Sequence, residues 1–206
     1  MYMSGMLFHL IMWIVWIHAT FIMEKKSKIR FPAAAASLIA IILYPYEAHV
    51  FSLRFSGPSF LLGLAGYGLA AMQTVRERIY LLFSVQAIML GYSGLLFLEM
   101  FDPVWMIADR RIVFGVILFL ASYFIYPASM ILRFQCLLIG TLQGEVLAGY
   151  VFGRLQIPFL IGAGPYLDIL ACFTAALLLA NPFGKVIPSA STIRQKDPGN
   201  RSQLNQ

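Results

Sequence analysis

Glu145 is the residue whose chemistry is least expected, because it stands inside the long apolar run 130–153. A carboxylate at the centre of a bilayer costs about 2.5–3.5 kcal/mol on insertion scales, so such a residue normally faces protein or water. At about 100° per residue, Thr141 and Gly149 share its stripe of a helix. The neighbouring stripe consists of small residues that let a second helix approach closely: Gly140, Gly144 and Ala148. Glu145 is therefore expected to face a helix bundle, either as a proton- or cation-binding group or as a hydrogen-bonded structural residue.

Asp168 is the second intramembrane carboxylate. Its helix face is again made of small residues: Ala171, Cys172, Ala175 and Ala176. Antiparallel packing of the sixth and seventh apolar runs would bring Asp168 towards Glu145, where the two groups could share a proton. The alternative is that Asp168 is only a residue near a helix N-terminus, favoured by the helix dipole.

His9 completes the set of candidate polar residues, since it shares a helix face with Trp13, Trp16 and Thr20. His18 lies nine residues further on, on the opposite side of the helix, so the two histidines cannot bind one metal ion together. His49 has no ligand spacing around it, and a site built from His9, His49 and outer carboxylates is only the less favoured alternative. The sequence contains no P-loop, HExxH or GxSxG motif. We therefore predict no catalytic, cofactor or metal site, and no enzymatic activity.

The composition indicates a membrane protein. Of the 206 residues, 60% are hydrophobic and 12% are charged, whereas soluble domains have about 25% charged residues. The net charge of +6 is spread along the chain, which argues against the basic stripe of a nucleic-acid-binding protein. The predicted partners are the lipid bilayer and other membrane proteins that contact small-residue helix faces.

The apolar runs predict an all-α bundle of about seven transmembrane helices, with six to eight left open. A spanning helix needs about 20 apolar residues. The predicted spans are 6–23, 31–44, 58–72, 79–100, 111–126, 130–153 and 166–180. Asn181-Pro182 is expected to stop the last helix, so that residues 1–182 form the transmembrane domain and 183–206 a polar, disordered tail. In the fourth run, a small-residue stripe predicts a helix-packing seam: Ser84, Ala87, Gly91 and Gly94.

The distribution of basic residues predicts the orientation. With the N-terminus outside, the inner segments carry 11 lysines and arginines and the outer segments carry 4. Basic residues accumulate on the cytoplasmic side of membrane proteins. The sequence therefore predicts an outer N-terminus and a cytoplasmic C-terminus.

The segment Met12–Lys26, with two tryptophans followed by lysines, resembles the start of the YphA-type membrane proteins. The overall length and basic ends are also similar to this small family of multi-pass proteins from endospore-forming bacilli. The family has no established activity. The resemblance implies a location in the bacterial plasma membrane and transfers no catalytic residues to this chain.

Two functions follow from the sequence as hypotheses. The first is a non-enzymatic structural or partner-binding component of the plasma membrane, supported by the small-residue faces and the scarcity of intramembrane charge. The alternative is a small ion-coupled transporter that uses Glu145 and Asp168. A third possibility is an enzyme that acts on lipid, but no residue in the sequence supports this function.

Overall fold

The structure is a computed structural model that describes residues 4–25, 27, 30–51, 53–102, 104, 109–125 and 130–184, with the backbone alone at 130–131 and 178–184. These residues form seven helices and three short strands. The helices are α1 (Met6–Ile17), α2 (Arg30–Leu43), α3 (Gly57–Ala71), α4 (Val75–Phe101), α5 (Arg110–Ile125), α6 (Met130–Arg154) and α7 (Gly164–Gly184). The strands are β1 (Glu47–Val50), β2 (Leu53–Ser56) and β3 (Leu160–Ile161), and a π-helical turn, His18–Ile22, extends α1.

Consecutive helices run in alternating directions. At one end of the bundle, Asp168 near the start of α7 contacts Gly5 at the start of α1, and the last turn of α2 is followed by Tyr44, which contacts Ser4. We call this the Asp168 end. At the other end, which we call the Arg30 end, the first residue of α2 contacts the π-helical turn that follows α1. The predicted count of seven helices is confirmed for the described residues.

Side chains and prolines at the helix starts explain several boundaries. The Ser56 hydroxyl accepts a hydrogen bond from the Ser59 amide, and Pro58 occupies the first turn of α3, where its missing N–H is no loss. Thr74 and Glu77 cap the start of α4 reciprocally, each side chain accepting from the other's backbone amide. The last helix ends at Gly184 rather than at Asn181-Pro182. Pro182 therefore lies within the last turn of this helix; residues 185–206, predicted as a disordered tail, lie outside the described residues.

Two of the described helices are long and apolar enough to cross a membrane: Val75–Phe101 and the 132–154 part of α6. Four others are apolar but shorter: Met6–Ile22, Arg30–Leu43, Gly57–Ala71 and Gly164–Leu177. At 1.5 Å per residue, the 14-residue α2 is about 21 Å long, against a hydrocarbon core of about 30 Å. The predicted spans 31–44 and 58–72 are therefore helical but short.

A small sheet occupies the space that the short helices α2 and α3 leave at the Asp168 end. Strand β1 pairs with β2 in antiparallel fashion, with Glu47 opposite Ser56. Strand β2 pairs in parallel with β3, with Phe55 opposite Ile161. The all-α prediction holds for most of the chain but misses this sheet, in which the two loops before α3 and before α7 satisfy backbone groups against each other.

The closest helix packing joins α4 and α6. A methyl group at Gly140 would lie 2.7 Å from Ile88 Cβ, and one at Gly144 would lie 2.8 Å from the Tyr92 ring. The small-residue stripe predicted on α6 therefore does receive a neighbouring helix, and large side chains of α4 fill it. Ala148, on the same stripe, is fully buried.

The prediction that the small-residue stripe of α4 packs against another helix is wrong for the helices of this chain. Of its four residues Ser84 is buried, whereas Ala87 and Gly91 are exposed, and a methyl group at Gly91 or Gly94 would meet nothing within 4 Å. Because the small residues of α6 supply the close approach, α4 contributes large residues to this contact. The small face of α4 is turned outward.

The tight contact at Gly140 predicts a stability difference between two alanine variants. Gly140→Ala should lower the thermal midpoint in detergent, because overpacking of a filled interface costs about 1–3 kcal/mol. Gly91→Ala is the matched control, since its new methyl group meets open space and alanine favours a helix over glycine. Thermal unfolding followed by circular dichroism measures both variants, and an equal midpoint for the two would contradict the packing described here.

Candidate functional site

The carboxyl group of Glu145 is enclosed in the bundle, with 2% of the residue exposed. The Tyr92 hydroxyl of α4 donates a hydrogen bond of 2.9 Å to Oε1. The backbone amide of Gly162, in the turn after β3, donates one of 3.1 Å to Oε2. Each oxygen thus has a donor from another part of the chain, and Glu145 joins α6 to α4 and to the β3 turn.

Gly162 holds the other side of this contact. Its φ of +69° favours glycine, and a methyl group here would lie 2.1 Å from Ser59 Cβ. The Ser56 hydroxyl donates to the Gly162 carbonyl over 2.5 Å, and the Ser59 hydroxyl donates to the Ser56 carbonyl over 2.8 Å. The start of α3 is therefore connected to Glu145 through a single glycine.

Thr141 lies on the same stripe as Glu145, as predicted, but has different partners. Its hydroxyl donates to the Leu137 carbonyl over 2.7 Å and lies 3.2 Å from the Tyr166 hydroxyl of α7. The Tyr166 ring packs edge-on against Tyr92, with 6.3 Å between ring centroids. Thr141 thus contributes to the wall beside Glu145 rather than to its hydrogen bonds.

Asp168 forms a second polar cluster. The residue is fully buried, and its oxygens accept hydrogen bonds from the amides of Gly5 at 2.9 Å and Phe8 at 3.1 Å. Arg111 of α5 lies 3.2 Å from the same carboxylate. Gly5 precedes α1 and has no capping side chain of its own, so a carboxylate from α7 binds the first amides of α1.

The predicted sharing of a proton between the two carboxylates is not what the structure contains. Among the described residues, Glu145 and Asp168 have separate partners and no hydrogen bond joins them. The alternative prediction, that a helix N-terminus favours Asp168, applies to a different helix. The helix N-terminus that Asp168 stabilises is that of α1, not that of its own α7.

His9 belongs to the Asp168 cluster. Its Nδ1 lies 2.7 Å from the Gly5 carbonyl, and its ring packs edge-on against Tyr44 with 4.4 Å between centroids. The Tyr44 hydroxyl donates to the Ser4 carbonyl over 2.8 Å. Within the described residues no three side chains of the metal-binding types are grouped closely enough to hold an ion, and His9 is a packing residue at the start of α1.

Sequence reasoning missed four side-chain partners of the candidate residues: Tyr92, Tyr44, Tyr166 and Arg111. Arg111 could have been found, because an arginine at the start of a span is a ready counter-ion for a carboxylate near the same end. The tyrosines carry no such signal, because the same residue type also serves as ordinary packing and interface side chains.

The arrangement is suited to holding helices together. Four cavities lined by described residues include neither Glu145 nor Asp168 in their walls. Hydrogen-bond donors or an ion pair occupy the oxygens of both groups. Among the described residues, both carboxyl groups are thus engaged by other parts of the chain.

Removal of the Tyr92 hydroxyl tests the first cluster. Tyr92→Phe should lower stability by about 1–3 kcal/mol, because the Glu145 oxygen that it serves is left buried without a donor. Chemical or thermal unfolding in detergent measures the loss. Tyr150→Phe is the control, since Tyr150 is exposed, and an equal effect of the two changes would contradict the assigned role.

Neutralisation of Asp168 tests the second cluster. Asp168→Asn should lower stability by about 3–5 kcal/mol, because it leaves the half-buried Arg111 without its counter-ion. Hydrogen–deuterium exchange of the Gly5 and Phe8 amides should accelerate, because both lose a charged acceptor. In a double-mutant cycle Arg111→Gln should cost much less in the Asp168→Asn background than alone; additive costs would show that the two residues do not interact.

Comparison with known proteins identifies a family of integral membrane proteins. The family model of the YphA-like integral membrane proteins matches residues 4–203, nearly the whole chain. No curated protein and no solved structure matches. The chain belongs to the YphA-like integral membrane protein family.

Proposed function

We propose that this protein is a non-enzymatic, multi-pass component of the bacterial plasma membrane that acts as a structural or partner-binding element, with its N-terminus outside and its C-terminus in the cytoplasm. The observation that carries the proposal is that every oxygen of both buried carboxyl groups has a partner within the chain, from backbone amides, Tyr92 or Arg111. Groups that bind helix ends and turns in this way fix the shape of a bundle. A fixed bundle presents a constant surface to other membrane proteins.

The outward face of α4 is the surface that we assign to a partner helix. Ala87, Gly91 and Gly94 form a shallow strip on it, and the exposed side chains of Phe83 and Leu90 stand beside this strip. In membranes, small residues of this kind allow close approach of a second helix, and packing then drives association. The partner is another integral membrane protein or a second copy of this chain.

Filling this strip tests the proposal. Gly91→Leu should leave folding intact, because a Cβ at this position meets nothing within 4 Å, but should abolish the partner contact. Gly68→Leu on α3 is the matched control, because Gly68 is equally open. Native electrophoresis of mildly solubilised membranes from the source organism should show a complex that is lost in the first variant and kept in the second. A complex that survives both changes, or monomer alone throughout, would refute the assigned surface.

The transporter hypothesis has less support. A carrier needs a hydrated route to its coupling carboxylate, and neither Glu145 nor Asp168 lines any of the four cavities described above. Proteoliposomes that contain the protein and an internal pH-sensitive dye should show no proton-coupled flux above empty vesicles. A flux that Glu145→Gln abolishes, while the protein remains folded, would overturn the structural proposal and favour transport.

A further inference from the structure

A cavity of about 290 Å³ lies at the Arg30 end, between the turn after α1 and the start of α2. Thr20, Lys25, Ser27 and Arg30 supply the polar part of its wall, and Phe31 and two alanines supply the apolar part. It contains neither of the candidate carboxylates. Two basic groups and two hydroxyls around one cavity are donors suited to an anion such as a phosphate group.

Arg30 is held in place by the chain before it. Its Nε donates to the Ala19 carbonyl over 3.1 Å, and one terminal nitrogen donates to the Thr20 carbonyl over 2.6 Å. These carbonyls belong to the π-helical turn His18–Ile22, whose last backbone oxygens lack helical partners. Carbonyl groups do not cancel a full positive charge, so the guanidinium is positioned but not neutralised by this contact.

The chain segment that contributes Lys25, Ser27 and Arg30 to the cavity is strongly basic in sequence. In the sequence 24–30, four basic residues stand against one acid: Lys25, Lys26, Lys28 and Arg30 against Glu24. Among the residues that the structure describes, no ion pair involves Lys25 or Arg30. Each basic residue near an anionic membrane surface contributes an attraction of about 1 kcal/mol.

Apolar side chains stand at the rim of this cavity. Phe31, in the wall, is 82% exposed, and Phe21 and Ile22 of the π-helical turn are 73% and 67% exposed. In a membrane protein such side chains lie against acyl chains rather than water. A ligand with both a phosphate group and hydrocarbon chains matches the two kinds of surface, whereas free phosphate matches only one.

We propose that this cavity is a binding site for the headgroup of an anionic phospholipid. Lys25 and Arg30 contact the phosphate, the Thr20 and Ser27 hydroxyls donate to its remaining oxygens, and the acyl chains lie along Phe31 and the π-helical turn. The site is independent of the structural role proposed above, since it uses other residues at the opposite end of the bundle.

Native mass spectrometry of the full chain in detergent tests this site with phosphatidylglycerol as the probe and phosphatidylcholine as the neutral comparison. The wild-type protein should retain phosphatidylglycerol preferentially. Lys25→Gln should weaken its retention about fivefold, the factor that corresponds to about 1 kcal/mol, and Lys25→Arg should restore it. Lys25 is exposed, so these variants should fold normally.

Arg76→Gln is the matched control, because it removes one exposed positive charge at the same end of the bundle but outside the cavity. It should leave phosphatidylglycerol retention unchanged; an equal loss would show that net charge alone attracts the lipid and would overturn the site. Added inorganic phosphate at millimolar concentration should not displace the lipid. Displacement by phosphate, or equal retention of the two lipids by the wild-type protein, would likewise refute a phospholipid site.

Discussion

The packing of α1 and α5 against α7 depends on the carboxylate of Asp168. It binds two amides at the start of α1, which lies 163 residues earlier at Gly5, and it pairs with Arg111 of α5. The first amides of a helix have no partner within that helix, and a bilayer provides little water to satisfy them. One buried carboxylate therefore links three helices. It accepts hydrogen bonds from the first amides of α1 and pairs with Arg111 of α5, and both contacts hold α7 in place.

Glu145 likewise accepts a backbone hydrogen bond, in this case from the irregular turn at Gly162. The turn around Gly162 enters the bundle beside α6, and irregular backbone is tolerated there only when protein groups satisfy it. Glu145 accepts from the Gly162 amide while Ser56 donates to the Gly162 carbonyl. In both polar clusters, a buried acid therefore completes main-chain hydrogen bonding in another part of the chain.

The helices and the inward orientation of Glu145 could be predicted from the sequence because they follow from local pattern. Apolar runs mark the helices, and the stripe that contains Gly140 and Gly144 marks the face that receives a neighbour. The partners of the polar residues could not be predicted in this way. Tyr92, Gly162 and Gly5 meet the carboxyl groups only through the tertiary arrangement, and the pairing of β2 with β3 joins two loops about 100 residues apart. The small-residue face of α4 could not be assigned for the same reason. Small residues indicate that another helix can approach closely, but they do not identify that helix.

The capping of α1 by Asp168 also has a consequence for biosynthesis. The ribosome releases α1 first and α7 last, so the leading helix waits through the synthesis of the whole domain before its exposed amides acquire their acceptor. This contact is therefore completed from the carboxyl side, and a chain that is truncated ahead of Asp168 lacks the acceptor for the first amides of α1.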